Sequence, residues 1–325
     1  MRSITLKGGA HMDILCVGEI LADVLVHPVE DIRFKDDCSL VSDIMIRPGG
    51  DSFNNALDLV RLGNQVCYAG RIGGDAVGTY LYNEGIAAGI DMSHVVHSPN
   101  PHTKMNILIN DKGERSFLYY PGTSAELCID DIDFSLLDHC RIVTVGGTFH
   151  LPRLDGKGTA ALFKEAKKRD VITAMDVTKD FSGRWNSVIE PCYPYLDHFL
   201  PSIEQASLIA QSSDEKEIAD FFLSRGVKNV TIKLGERGSY FKNASTAFYC
   251  GCYQVPVVET TGAGDAFVSG FLTGLLKGFS YEGCVRFATA CSAHVIQAVG
   301  ATTGMKDLET IAAFIKEQPP LSITT

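Results

Sequence analysis

No run of eighteen or more apolar residues occurs in the chain, so no segment has the length and apolarity of a membrane-spanning helix. The N-terminus lacks a charged start, an apolar run and a small-residue cleavage site, the three parts of a signal peptide. Long basic runs are also missing. Thirty-nine Asp and Glu against 29 Lys and Arg give a net charge of −10, which argues against a nucleic-acid-binding face. The ten cysteines form no CxxC pair and no Cys/His set at the spacing of a zinc module. Scattered thiols in a chain this long fit small buried hydrophobes in a reducing, cytoplasmic setting. There is one tryptophan, Trp185, expected in the core. Neither a Walker A loop nor a GxGxxG dinucleotide turn is present. Internal repeats and low-complexity segments are absent as well.

What is there suffices for one large α/β domain: 325 residues, 45% of them apolar. Residues 1–12 read as a leader ahead of a native start near Met12, residues 13–317 as the folded domain, and the proline-broken stretch 318–325 as a tail expected to fray. Short apolar runs at 14–17, 66–69, 141–145, 171–175, 227–234 and 253–258 read as strands. Helical spacing appears at 54–62, 77–88, 158–169, 268–276 and 281–298. Such alternation predicts a mostly parallel central sheet flanked by helices on both faces. Two segments interrupt it, at about 24–48 and 102–120. The second is a hairpin around Asp111-Lys112-Gly113, and together they predict a small second β-sheet serving as a lid.

The most informative stretch is Glu259 to Phe267, ETTGAGDAF, a glycine turn opening a helix with apolar positions Phe267, Val268, Phe271, Leu272 and Leu275. Free N–H groups and the positive dipole end make a helix start an anion site. Gly262 and Gly264, lacking Cβ, let backbone approach an anion closely. Asp265 in the first turn suits both a cap and a general base. Taken alone, the stretch reads equally well as an N-capped helix after a glycine turn.

With a second stretch the sequence resembles the ribokinase (PfkB) family of carbohydrate kinases. One family signature, D-T-x-G-A-G-D, reads here as Glu259-Thr260-Thr261-Gly262-Ala263-Gly264-Asp265, and the other as Gly49-Gly50-Asp51-Ser52-Phe53-Asn54-Asn55-Ala56, continuing to Gly78. The resemblance implies a ribokinase-like fold and transfer of the ATP γ-phosphoryl group to a hydroxyl of a small sugar or polyol. It implies Asp265 as the base, with Gly262, Ala263 and Gly264 as an anion hole, the kind of preorganised charge stabilisation that phosphoryl transfer requires. On the substrate side it implies Asp23, Gly49, Gly50 and Asn54, with Thr103 and Phe117 contributed by the lid. Nucleotide contacts fall on Ser202, Lys233, Gly235, Gly238, Thr261, Gly262 and Gly264.

Three departures from the family pattern bear on chemistry. In the N-x-x-E stretch that organises magnesium, Ser202 and Gln205 replace Asn and Glu, and Glu204 is adjacent but out of register. Magnesium is still expected with ATP. Glu259 replaces the Asp of a loop that holds a monovalent cation in many members, which leaves potassium open. Thr178 and Asp180 occupy the Asn and Arg positions of D-x-N-x-R, and Asp51 follows the glycine pair, both of which disfavour an acidic sugar. A nucleoside kinase and a non-catalytic sugar or nucleotide sensor stand as alternatives, and a homodimer through the lid edge is a further expectation.

Overall fold

The computed structural model describes residues 12–27, 41–99, 102–111 and 114–325, the side chains of His27 and of residues 109–117 excepted. Residues 1–11 of the expected leader and the Lys112-Gly113 turn tip therefore lie outside the described residues.

Strands fall at β1 Ile14–Gly18, β2 Leu21–His27, β3 Asp43–Gly49, β4 Val66–Ala69, β5 Arg71–Gly73, β6 Val96–Ser98, β7 Met105–Asp111, β8 Glu114–Tyr120, β9 Ile142–Thr148, β10 Ile172–Val177, β11 His198–Phe199, β12 Asn229–Lys233, β13 Ser239–Asn243, β14 Ala247–Cys250 and β15 Ile323–Thr324. The helices are α1 Asp51–Arg61, α2 Ala76–Ala88, α3 Lys157–Lys168, α4 Asn186–Ile189, α5 Ile203–Ala210, α6 Glu215–Leu223, α7 Ala263–Leu276, α8 Tyr281–Val295 and α9 Leu308–Glu317.

Nine strands form the main sheet in the order β15-β14-β13-β12-β11-β10-β9-β1-β4. It is parallel from β4 to β12 and antiparallel from β12 to β15. Strand β1 shows why such a sheet reads as a continuous apolar run. Its period of two sends Ile14 and Cys16 into one core and Leu15 and Val17 into the other, so every residue is buried. Helices α1, α7 and α8 cover the first core through Phe53, Phe271 and Val285. Helices α3, α5 and α6 cover the second through Phe163, Ile209 and Phe222. Trp185 is partly buried at the margin of that second core, edge-on to Phe149.

Two expectations need correction. Residues 253–258 are not a strand: Val257 and Val258 are exposed, and Val258 N–H bonds instead to Ile296 O (2.8 Å). The approach to the glycine turn is therefore irregular, and β14 is the last strand before it. Residues 318–325, expected to fray, end in β15, which pairs with β14 while Leu321 is buried in the first core. The prolines at 319 and 320 precede the ladder and remove no donor from it.

The second sheet has the order β3-β2-β7-β8. Its register sorts side chains between two faces. Ile46, Val24, Ile107 and Leu118 form one lateral row, whereas Arg47, Asp23, Asn106 and Tyr119 form the adjacent row on the opposite face. Phe117 stands opposite Leu108 in this register, and its side chain lies outside the described residues.

Candidate active site

The glycine turn and the Gly49-Gly50 stretch meet at the starts of two helices. Gly50 caps α1 with φ +97°, a conformation that disfavours any side chain, and a Cβ there would lie 2.7 Å from Glu19 O. Gly262 caps α7 in the left-handed region, φ +80°, with its Cα against Ala301 O. Both helices thus begin on backbone that only glycine supplies easily. The result places Asn54, in the first turn of α1, against Asp265, in the first turn of α7: Asn54 Nδ2 donates to Asp265 Oδ2 at 2.8 Å. The two residues are 211 positions apart. Asn54 Oδ1 is buried without a partner among the described residues, an acceptor open to a ligand.

Carboxylates crowd this point. Burial, then Asp51 and Asp176, pushes the Asp265 carboxyl well above its usual range, against the opposing pull of Asn54 and Lys233. Burial, with Glu19 and Asp176, raises Asp51 to about 7. Asp176, near the end of β10, is ion-paired with Lys233 at the end of β12. A Cβ on Gly264 would lie 3.2 Å from Lys233 Nζ, so the lysine reaches the first turn of α7. Two buried carboxyls, the partly buried Asp51 and one ammonium are thereby gathered at the carboxyl ends of parallel strands, where open α/β sheets place ligands.

Beneath the small sheet is a second group. Lys104, wholly buried, pairs with Glu19, which is 3% exposed. His150 Nδ1 is 3.3 Å from the same Glu19 oxygen, and Lys104 donates to Tyr119 Oη at 3.3 Å. Asp23, in the polar row of that sheet, accepts from Asn106 Nδ2 at 3.1 Å. Burial is the main reason its carboxyl rises to about 6, with Asn106 opposing and Glu19 adding. Gly49, at the end of β3, lies directly against Asp23 Oδ2.

The other residues singled out in the sequence sit in well-defined local structure. The Thr103 hydroxyl donates to Asp75 Oδ1 (2.6 Å) and accepts from Gly73 N–H (2.8 Å), which fastens the approach to β7. Ser202 and Gln205 form a reciprocal capping box at the start of α5, and Glu204 is exposed in its first turn. The replacements in the N-x-x-E stretch therefore keep a helix start intact. Gly235 and Gly238 form the turn between β12 and β13, closed by Leu234 N–H to Gly238 O at 2.8 Å. Glu259 accepts from Thr261 Oγ1 and from Gly300 N–H, each at 2.7 Å, tying the glycine turn to the loop whose Ala301 packs on Gly262.

Sequence reading missed the Glu19–Lys104–His150 group and did not rank Asp51 or Asp176. Glu19 carries a legible signal, a carboxylate directly after an apolar strand. Lys104 and His150 carry none, because nothing local marks a lysine as buried.

A family model described as pfkB family carbohydrate kinase matches residues 12–308. A 2-dehydro-3-deoxygluconokinase of Bacillus subtilis is 28% identical over 292 residues, covering 83% of this chain and 86% of the relative. A Thermotoga maritima ribokinase superposes with TM-score 0.82 at 24% identity, covering 94% of this chain and all of that one. An Escherichia coli protein solved with ATP and Mg2+ superposes with TM-score 0.83 at 21% identity, again over 94% of this chain and all of that one. These structures share the ribokinase-like fold.

Proposed function

The chain belongs to the pfkB family of carbohydrate kinases, and from that premise we propose that Asp265 is the base, and the start of α7 the anion hole, of its ATP-dependent sugar phosphorylation. The observation that carries this reading is the Asn54–Asp265 hydrogen bond, which joins the two signature stretches at one point. Asp265 takes the proton from the attacking sugar hydroxyl. That oxygen bonds to the γ-phosphorus as the bond from phosphorus to the β–γ bridging oxygen breaks, and ADP leaves. A carboxylate in a buried, like-charged setting is a stronger proton acceptor than a solvated one. The N–H groups at Gly262, Ala263 and Gly264 receive charge on the transferred group, that of Ala263 giving up its bond to Thr260 O (3.2 Å). Lys233, beside Gly264, supplies positive charge to the nucleotide phosphates. The upward push of Asp51 and Asp176 on Asp265 fits a hard cation arriving with ATP, with Asp176 and Asp265 as the oxygen donors that would hold it. Magnesium, when bound, neutralises charge on the phosphate oxygens.

For the substrate we propose a neutral, hydroxyl-rich sugar held by Asp23, Asn54 and Asn106. The Bacillus subtilis relative is named for an acid sugar. Here Lys104 is committed to Glu19, and Lys233 to Asp176 and the nucleotide side of the site, while Asp23 and Asp51 add negative charge. A substrate carboxylate would meet the like charge of Asp23 and Asp51. In an ADP-release assay with MgATP, neutral sugars and polyols are expected to exceed aldonic and ketodeoxy acids in kcat/KM by more than about tenfold. Preference for an acid would reject this assignment. A nucleoside is the second reading, because Tyr119, His150 and the exposed Phe181 ring cluster beside the site, His150 and Phe181 stacked at 5.4 Å. Nucleosides in the same panel decide between the two.

The small sheet also supports a homodimer. Ile46 and Leu118, in the apolar row, are 50% and 58% exposed, and Ile44 on the same face is 60% exposed. Sedimentation is expected to give the mass of two chains, and Ile46→Asp to give one. A parent protein that sediments as a single chain rejects the dimer.

A further inference from the structure

Away from the active site, at the edge of the main sheet, Cys67 Sγ, a carboxylate oxygen of Asp91 and a ring nitrogen of His94 all lie within 4.8 Å of one another. They belong to β4 and to the turn that follows α2. Cys67 pairs with Leu15 in the first half of β1, whereas the active-site residue Glu19 follows the carboxyl end of that strand. The backbone fixes two of the three ligand positions. Asp91 N–H bonds to Val66 O and Tyr68 N–H to Asp91 O, each at 2.9 Å, so Asp91 is clipped to β4 on either side of Cys67. Asp91 Oδ1 accepts from Ser93 N–H (3.0 Å) and from Ser93 Oγ (2.6 Å), which shapes the turn that presents His94. These bonds use Oδ1 and leave Oδ2 for another partner.

We propose that Cys67, Asp91 and His94 form a Zn2+ site. A thiolate, an imidazole and a carboxylate are a borderline-soft set that suits zinc far better than the hard cations accompanying ATP. Bonds of about 2.0–2.3 Å in tetrahedral geometry set ligand atoms roughly 3.3–3.8 Å apart. The present separations close to that range by side-chain rotation of exposed Asp91 and half-buried His94, with Cys67 fixed in the strand. Three protein ligands leave the fourth position to water. Asp133 is near enough for His94 to help hold its carboxyl low, behind the larger effect of Ser135 N–H, and adds negative charge beside the site. The sulfur–zinc bond forms as one proton passes from the Cys67 thiol to solvent. Bound zinc would pin the turn carrying His94 to the sheet edge and raise the stability of the whole chain by mass action.

The test starts from full-length protein stripped with a chelator and titrated with Co2+, whose thiolate complexes absorb through sulfur-to-metal charge transfer. The parent is expected to bind one Co2+ with that absorption and to lose it to one equivalent of Zn2+. In Cys67→Ser the absorption should vanish. In His94→Ala, which alters only a half-buried ring, zinc affinity should fall by at least about tenfold, with sugar phosphorylation retained. If Cys67→Ser fails to fold, His94→Ala and Asp91→Asn decide alone. A parent with no thiolate absorption overturns the proposal, as does absorption and affinity unchanged in His94→Ala.

Discussion

Replacing Asp265 by asparagine is expected to lower turnover by about 10²–10⁴-fold, the range for removal of a positioned general base, while leaving the protein at least as stable as the parent. The second half of that expectation comes from the site's electrostatics. Asp265 is buried beside Asp51 and Asp176, whose charges add to burial in raising its carboxyl. Asparagine keeps the volume and keeps an oxygen for Asn54 Nδ2, but carries no charge. Loss of activity together with unchanged or raised melting temperature is what a site built against its own repulsion should show. Retained binding of MgATP would place the loss in the chemical step. Turnover within about tenfold of the parent would remove Asp265 as the base.

Replacing Lys104 by methionine is expected to destabilise the fold by about 3–5 kcal/mol, because it leaves a buried carboxylate without its cation. Lys104 has no exposed surface, and Glu19 almost none. Burial pushes the Glu19 carboxyl upward, but Lys104 and His150 outweigh it and hold the group at about 2. A carboxylate depressed in the folded state contributes stability above its ordinary value, near 4.5, and loses it as pH falls through about 2. The parent should therefore hold this contribution in full above about pH 4.5 and lose it progressively between there and about pH 2, whereas Lys104→Met should lack it at neutrality. Adding Glu19→Gln to Lys104→Met removes the stranded charge and should restore most of the loss in a urea titration. A single variant within about 1 kcal/mol of the parent would mean that Glu19 is neutral or well solvated.

The alternation of apolar runs and helical spacing determined the main sheet and its two helical layers, since strands buried on both faces leave an unbroken apolar signature. The glycines before Asp51 and Asp265 marked both helix starts, because few other residues accept the backbone found at Gly50 and Gly262. Local pattern misread residues 253–258: β-branched residues satisfy strand spacing whether or not a ladder partner exists, and Val257 and Val258 have solvent there. It also could not say which face of the small sheet carries Asp23, since alternation gives two faces and only pairing with β3 and β7 decides which is covered.

The sequence by itself determined the family, the fold and the residues of the glycine turn, all of which depend on neighbours within a few positions along the chain. Tertiary structure alone decided what Asp265 touches, that Lys104 is buried against Glu19, and that Cys67 meets Asp91 and His94 where no zinc spacing exists in the chain. Each of those turns on distance in space between segments 24 to 211 residues apart, and burial, ion pairing and metal ligation act through distance in space.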